Sequence, residues 1–227
     1  MINRVHRLFQ TLLWAAFYPV FRLAVPLKVT FGPGTESFLI SPPVIIASNH
    51  KGLLDPFIIG FALCPPFSKT VHFMAKDAFF NNPAVGVFLR LMGAFPAYRG
   101  YGLEKSLERP KEILRNGGVI ALFPEGKVFR DKGLGNAKRG VGALALETGA
   151  PVLPVAIRGS HGINLRSLLS GRVKIEVVVG NPECFRPLCA DRDEEMIRVS
   201  KAVMEKIGEL YYRPEEGERE KRIKEAC

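Results

Sequence analysis

At 227 residues and 47% hydrophobic, the chain can bury one sizeable core and is short for two domains. Its formal net charge of +10 and pI near 9.6 favour acidic partners: a phospholipid surface, nucleic acid, or an anionic substrate or carrier. The 4 cysteines (Cys64, Cys184, Cys189 and Cys227) form no CxxC pair and no zinc-type spacing with histidine, which argues against a disulfide scaffold and a metal site and for a reducing cytosol.

Near the amino terminus, residues 8–21 form the uncharged run LFQTLLWAAFYPVF. It is shorter than the ~20 residues that cross a bilayer, and it lacks the small-residue cleavage site of a secretory signal. Arg4, Arg7, Arg22 and Lys28 flank it, and no acidic residue precedes Glu36. With Trp14, Phe17, Tyr18 and Phe21, this is the composition of a helix lying in the interface of an anionic leaflet; the plainer alternative is a core helix packed on the domain. Residues 1–30 are therefore read as a membrane-interfacial segment, 31–212 as the globular domain and 213–227 as a charged, solvated tail. The protein is expected on the cytoplasmic face of the cell membrane, attached peripherally without spanning it.

Downstream, short β-branched runs alternate with helical ones. Strands are expected at 44–48, 71–75, 93–98, 119–123, 152–157 and 174–180, and helices near 56–63, 78–92, 103–116, 139–148 and 192–211. That alternation predicts a single-domain α/β layered fold, a largely parallel mixed sheet flanked by helices. Met196, Val199, Val203, Ile207 and Leu210 make the last helix amphipathic, with its stripe covering the sheet.

The stretch SNHKGLLDPF, residues 48–57, follows the first of these strands. It puts His50 just past a strand's carboxyl end, where open α/β sheets hold their ligands. Asp55 before Pro56 reads by itself as a helix N-cap and first helical residue. A loop folding Asp55 onto His50 would instead fix the imidazole tautomer and leave the second ring nitrogen as a general base. No GxSxG elbow or catalytic cysteine signature accompanies the pair, so the hydroxyl to be activated is expected to arrive with the substrate. Residues 121–131, ALFPEGKVFRD, end another strand. There Gly126 would allow close backbone approach to a ligand and Glu125 would accept from a hydroxyl or orient a cation, though both residues also suit an ordinary turn. Lys127, Arg130, Lys138 and Arg139 surround this loop, and Arg99 ends the preceding strand. Gathered, these cations suit a phosphate monoester; singly, each reads as a solvated surface charge.

NHKGLLD at 49–55, GAFPAYRG at 93–100, FPEG at 123–126 and APVLPVAI at 150–157 stand in the order and spacing of the four blocks of the glycerolipid acyltransferases. From about residue 25 to 205 the chain closely resembles the bacterial 1-acyl-glycerol-3-phosphate acyltransferases of that family. The resemblance implies the family's layered fold, His50 and Asp55 as the catalytic dyad, and glycerol-phosphate binding by Arg99, Glu125 and Gly126, with Lys127, Arg130 and Lys138 around them. It implies Lys76 as a head-group contact and Pro154 as part of the acyl-donor block. It also implies acyl transfer from acyl-CoA or acyl carrier protein to lysophosphatidic acid at an anionic membrane surface, with no cofactor, metal or nucleic acid. The chain departs from the pattern at Lys127 and Val128, where the family commonly has Thr-Arg, and at Tyr98, often Asp; Arg130 keeps an arginine nearby. Glycerol 3-phosphate and other lyso-lipids therefore remain alternative acceptors. The apolar segment 78–92 would either line an acyl channel or form a core helix.

Two other functions compete. A thioester hydrolase would use the same dyad on water, and a basic, non-enzymatic membrane or nucleic-acid binder would not need His50. The chain carries neither a helix-turn-helix pattern nor the aromatic sheet motif of RNA readers.

Overall fold

The computed structural model describes residues 26–32, 43–67, 70–97, 100, 102–163 and 173–214, with positions 12, 15, 16, 19, 23, 35 and 167 singly and without the side chains of 64–67. The strands are β1 (Leu27–Phe31), β2 (Val44–Ser48), β3 (Val71–Lys76), β4 (Ala94–Ala97), β5 (Val119–Leu122), β6 (Val152–Arg158) and β7 (Ile175–Val179). The helices are α1 (Asp55–Phe67), α2 (Pro83–Leu91), α3 (Gly102–Arg115), α4 (Gly140–Thr148) and α5 (Arg192–Tyr212), with a 3-10 turn at Asp77–Asn81. The strands form one 7-stranded sheet in the order β1-β7-β6-β2-β5-β3-β4. All neighbours run parallel except β6 and β7. Pro96 is tolerated because β4 is an edge strand.

β2 lies centrally between β6 and β5 and is buried along its whole length, as expected of a parallel strand covered on both faces. Its side chains alternate between two cores. Val44 and Ile46 join Ile58, Ile59 and Leu63 of α1; Ile45 and Ala47 join Val141 and Leu144 of α4 and Val199, Val203 and Ile207 of α5. Each such aliphatic side chain removed from water contributes roughly 1.5–3 kcal/mol before chain entropy is counted. The result is three layers, with the amphipathic stripe of α5 on the sheet as its periodicity predicts.

Two expectations are corrected. β1 brings Leu27–Phe31 into the sheet beside β7, in register from Leu27↔Ile175 to Phe31↔Val179. The globular domain therefore reaches back into the segment assigned to the membrane interface. The segment 78–92 is not one helix: Asn82 and Pro83 divide it, the Asn82 side chain accepting from Ala84 and Val85 N–H to cap α2. Nor is α2 a core helix. Only Gly86 and Leu89 are buried, while Val85, Val87 and Phe88, with Phe79 before them, face solvent. No helix among the described residues is long and apolar enough to cross a membrane. Most of the apolar run 8–21 and the tail beyond residue 214 lie outside the described residues.

α4 and α5 pack closely because Gly142 has no side chain. A Cβ there would stand 2.0 Å from the Met196 carbonyl oxygen, and the Gly142 N–H donates to Ser200 Oγ at 2.9 Å. Gly142→Ala should therefore cost about 1–3 kcal/mol by overpacking and lower the melting temperature by roughly 2–10 °C. Gly140→Ala, whose Cβ would meet nothing within 4 Å, should leave it nearly unchanged. Indistinguishable melting curves for the two variants would contradict this close packing.

Candidate active site

β6, β2 and β5 are adjacent and mutually parallel, so their carboxyl ends open onto one edge of the sheet. There β2 continues into residues 49–54, β5 into 123–139 and β6 into 159–163. Asn49 is fully buried and extends the ladder between β2 and β6 with its side chain. Its Nδ2 donates to the Ile157 carbonyl at 2.9 Å and its Oδ1 accepts from the Ile157 N–H at 2.7 Å. The amide thus mimics a peptide group one residue beyond the strand and fixes where the next residue begins.

That residue is His50. Its N–H donates to Glu125 Oε1 at 2.9 Å, its carbonyl accepts from the Phe129 N–H at 2.7 Å, and its ring stacks on Phe123 with centroids 4.1 Å apart and planes at 19°. The chain then turns back through Gly52, whose missing Cβ would lie 2.9 Å from the Ser160 carbonyl oxygen, so the loop closes against the end of β6. Asp55 Oδ2 receives the Lys51 N–H at 2.5 Å, the Gly52 N–H at 2.8 Å and His50 Nδ1 at 3.0 Å. Two backbone donors already commit Oδ2 to accepting, so Nδ1 carries the hydrogen and Nε2 holds the lone pair. Nε2 has no hydrogen-bond partner among the described residues, and the His50 side chain is 14% exposed. A neutral imidazole held in this way can accept a proton at Nε2 from a group entering at the sheet edge.

Asp55 does not cap its helix. Its carboxylate turns back to residues 50–52, and the buried Oδ1 has no partner among the described residues. The helix-cap reading of this residue does not hold in the structure.

The remaining candidates separate. Glu125 is 3% exposed, and its second oxygen, Oε2, accepts from the Gly135 N–H at 3.1 Å. Its carboxylate braces the two loops to each other, a geometry that turn chemistry alone did not suggest. Gly126 takes φ 68°, a left-handed conformation suited to glycine, and the Lys138 stem lies over it, with Cδ 2.9 Å from where a Cβ would stand. Lys127, Arg130 and Lys138 are exposed on this same loop. Lys76 is exposed at the end of β3, two strands from β2. Pro154 is buried within β6 opposite Ala47, its carbonyl accepting from Gly180 N–H at 2.9 Å. Arg99 and Tyr98 lie outside the described residues. Two residues that organise the site escaped the sequence reading although both adjoin His50: Asn49, and Lys51, which is 4% exposed.

Comparison with known proteins bears on family and fold. The model of the acyltransferase family matches residues 32–158, more than half of the chain. A 1-acyl-sn-glycerol-3-phosphate acyltransferase of Bacillus subtilis is 31% identical over 140 residues, covering 61% of this chain and 65% of that protein. A chloroplastic protein of the same description from Arabidopsis thaliana is 29% identical over 156 residues, covering 66% of this chain and 40% of the relative. The chain thus spans less than two thirds of either relative. The crystal structure of a 1-acyl-sn-glycerophosphate acyltransferase from Thermotoga maritima superposes with a TM-score of 0.61 at 23% identity, over 95% of this chain and 86% of that one, and so shares its fold.

Asn49→Ala would leave the Ile157 N–H and carbonyl buried without partners, each worth about 1–3 kcal/mol. It should lower the denaturant midpoint substantially, whereas an unchanged midpoint would show that water replaces the amide.

Proposed function

The chain belongs to the acyltransferase family, and we propose that it moves a fatty acyl group from a thioester, acyl-CoA or acyl carrier protein, to the sn-2 hydroxyl of 1-acyl-glycerol 3-phosphate, giving phosphatidic acid. One observation carries this reading: Asp55 Oδ2, held by two backbone N–H groups, also binds His50 Nδ1, and Nε2 is left without a partner among the described residues. Nε2 takes the proton of the acceptor hydroxyl as its oxygen bonds to the thioester carbonyl carbon. The carbon–sulfur bond then breaks, and the departing thiolate recovers that proton from Nε2, so the dyad ends as it began. The Asp55 charge stabilises the transient imidazolium. Such base assistance supplies ~10²- to 10⁴-fold, and positioning of the two substrates supplies much of the remainder.

The exposed cations of the 126–138 loop, Lys127, Arg130 and Lys138, suit the acceptor's phosphate, and Arg99 joins them by motif position. The names of the Bacillus and Arabidopsis relatives support the choice of acceptor. An amphiphilic acceptor also accounts for the apolar path leading away from the dyad. Phe57, in the first turn of α1 after Asp55, contacts Phe73 and Phe88 with ring centroids 5.5 and 6.3 Å apart, and Phe88 opens onto the exposed face of α2. With the basic, apolar amino-terminal run, this favours a protein seated peripherally on the cytoplasmic face of an anionic membrane.

The deciding assay offers purified full-length protein acyl-CoA and acyl carrier protein donors with lysophosphatidate, glycerol 3-phosphate and other lyso-lipids. Thioester loss without any acceptor would identify a hydrolase instead. His50→Ala should lose ~10²- to 10⁴-fold or more of the rate while remaining folded. Asp55→Asn, which can still accept from the two N–H groups but lacks the charge, should also lose most activity; a fully active Asp55→Asn enzyme would refute the dyad. Deleting residues 1–25 should move the protein from the membrane to the soluble fraction, and binding of the intact chain to anionic vesicles should weaken with salt. Retention of the intact chain through carbonate extraction would contradict peripheral attachment.

A further inference from the structure

Lys51 follows the proposed base directly, yet its charge points away from the reacting groups. The residue is 4% exposed. The ammonium donates to the Asp131 carbonyl at 2.9 Å and to the Gly133 carbonyl, and it stands 4.7 Å from the centroid of the Phe129 ring. No carboxylate pairs with the ammonium among the described residues, so this is no salt bridge. It is a cation enclosed by backbone carbonyls and an aromatic face. Burying an ammonium costs several kcal/mol unless its donors are satisfied, and here all three partners belong to one loop, residues 129–133. That loop has no regular secondary structure to hold it.

The same loop exposes Lys127, Arg130 and Lys132. Its other ties to the dyad segment are the Phe129 N–H to the His50 carbonyl and, through Glu125, the Gly135 N–H to the His50 N–H. These ties hold the loop near positions 129 and 135; between them Leu134 packs on the core beside α5, and Lys51 grips the carbonyls of Asp131 and Gly133. An acceptor that carries its phosphate a short, fixed run of bonds from its reacting hydroxyl needs a fixed distance between base and phosphate-binding cations. The backbone of Lys51 donates to Asp55 while its side chain grips the cation-bearing loop, so one residue spans that distance.

We propose that Lys51 is a positioning residue that clamps loop 127–133 to the dyad and thereby sets affinity for the phosphorylated acceptor. The role in acceptor binding rests on the proposed acyl transfer; the clamp itself does not. The test uses full-length Lys51→Met, which keeps length and apolar stem, and Lys51→Arg, which keeps the charge. Phe129→Leu serves as a loop-side variant that removes the ring face should Lys51→Met fold poorly.

Limited trypsin digestion of the native protein, read by mass at Lys127, Arg130 and Lys132, reports on the clamp without any turnover. Steady-state kinetics with lysophosphatidate and acyl-CoA report on its use. Lys51→Met should be cut in the loop about tenfold faster or more. Its acceptor KM should rise about tenfold or more, while the donor KM stays within about twofold. Phe129→Leu should move both readouts in the same direction by less, and Lys51→Arg should recover part of each. Unchanged loop cleavage in Lys51→Met and Phe129→Leu would overturn the clamp. Faster cleavage with equal rises in both KM values, or with neither, would overturn its role in acceptor binding. If the wild-type chain transfers no acyl group to any acceptor, the proposed reaction fails and so does the acceptor role, while the cleavage rates still decide the clamp.

Discussion

A single carboxylate oxygen organises the candidate site. Asp55 Oδ2 accepts from the Lys51 and Gly52 N–H groups and from His50 Nδ1, so one buried atom closes the loop, fixes the tautomer and supplies the charge opposite the imidazole. Full burial of Asp55 removes competing water from these contacts. The sharp return of the chain after β2 and the hold on His50 Nδ1 are consequences of the same contact.

That contact depends on the sheet beneath it. Because β6, β2 and β5 run parallel and adjacent, three loops issue side by side, and each is joined to the next by a side chain standing in for backbone. Asn49 joins the β2 loop to β6. Glu125 and Lys51 join it to the loop after β5. Two of these three carry full charges in buried positions, where a lost partner is costly. His50 thus sits where these loops are tied together, and the exposed Lys127, Arg130 and Lys132 lie on one of them.

The opposite character prevails at α2. This helix packs through Gly86 and Leu89 and leaves Val85, Val87 and Phe88 to solvent, next to Phe79 of the preceding turn. Phe88 contacts Phe57 of the dyad helix, so the apolar surface and the polar site meet within one helical turn. The proposed seating on an anionic membrane draws on this face together with the formal net charge of +10.

Much of this was legible in the chain itself. Alternating β-branched and helical runs specify the layered α/β fold, because burial on two faces demands unbroken apolar strands; β2 and α5 show it most clearly. Four ordered motifs identify the family. Local pattern could not settle partnership. LKVTF at 27–31 follows directly on the apolar amino-terminal run, and it is β7, far along the chain, that makes it a strand. The apolar residues of 78–92 have the composition of a core helix and face water because Asn82 and Pro83 break the segment and only one narrow face finds a partner. Asp55 before Pro56 fits a cap equally well in sequence; only the folded loop turns its carboxylate back to His50. Glu125 became a brace, and Lys51 a buried cation, only when two loops separated by many residues were brought together. Periodicity and motif order are local properties of a chain and survive in its sequence, whereas the partner of a polar side chain is set by which strand ends the sheet places side by side.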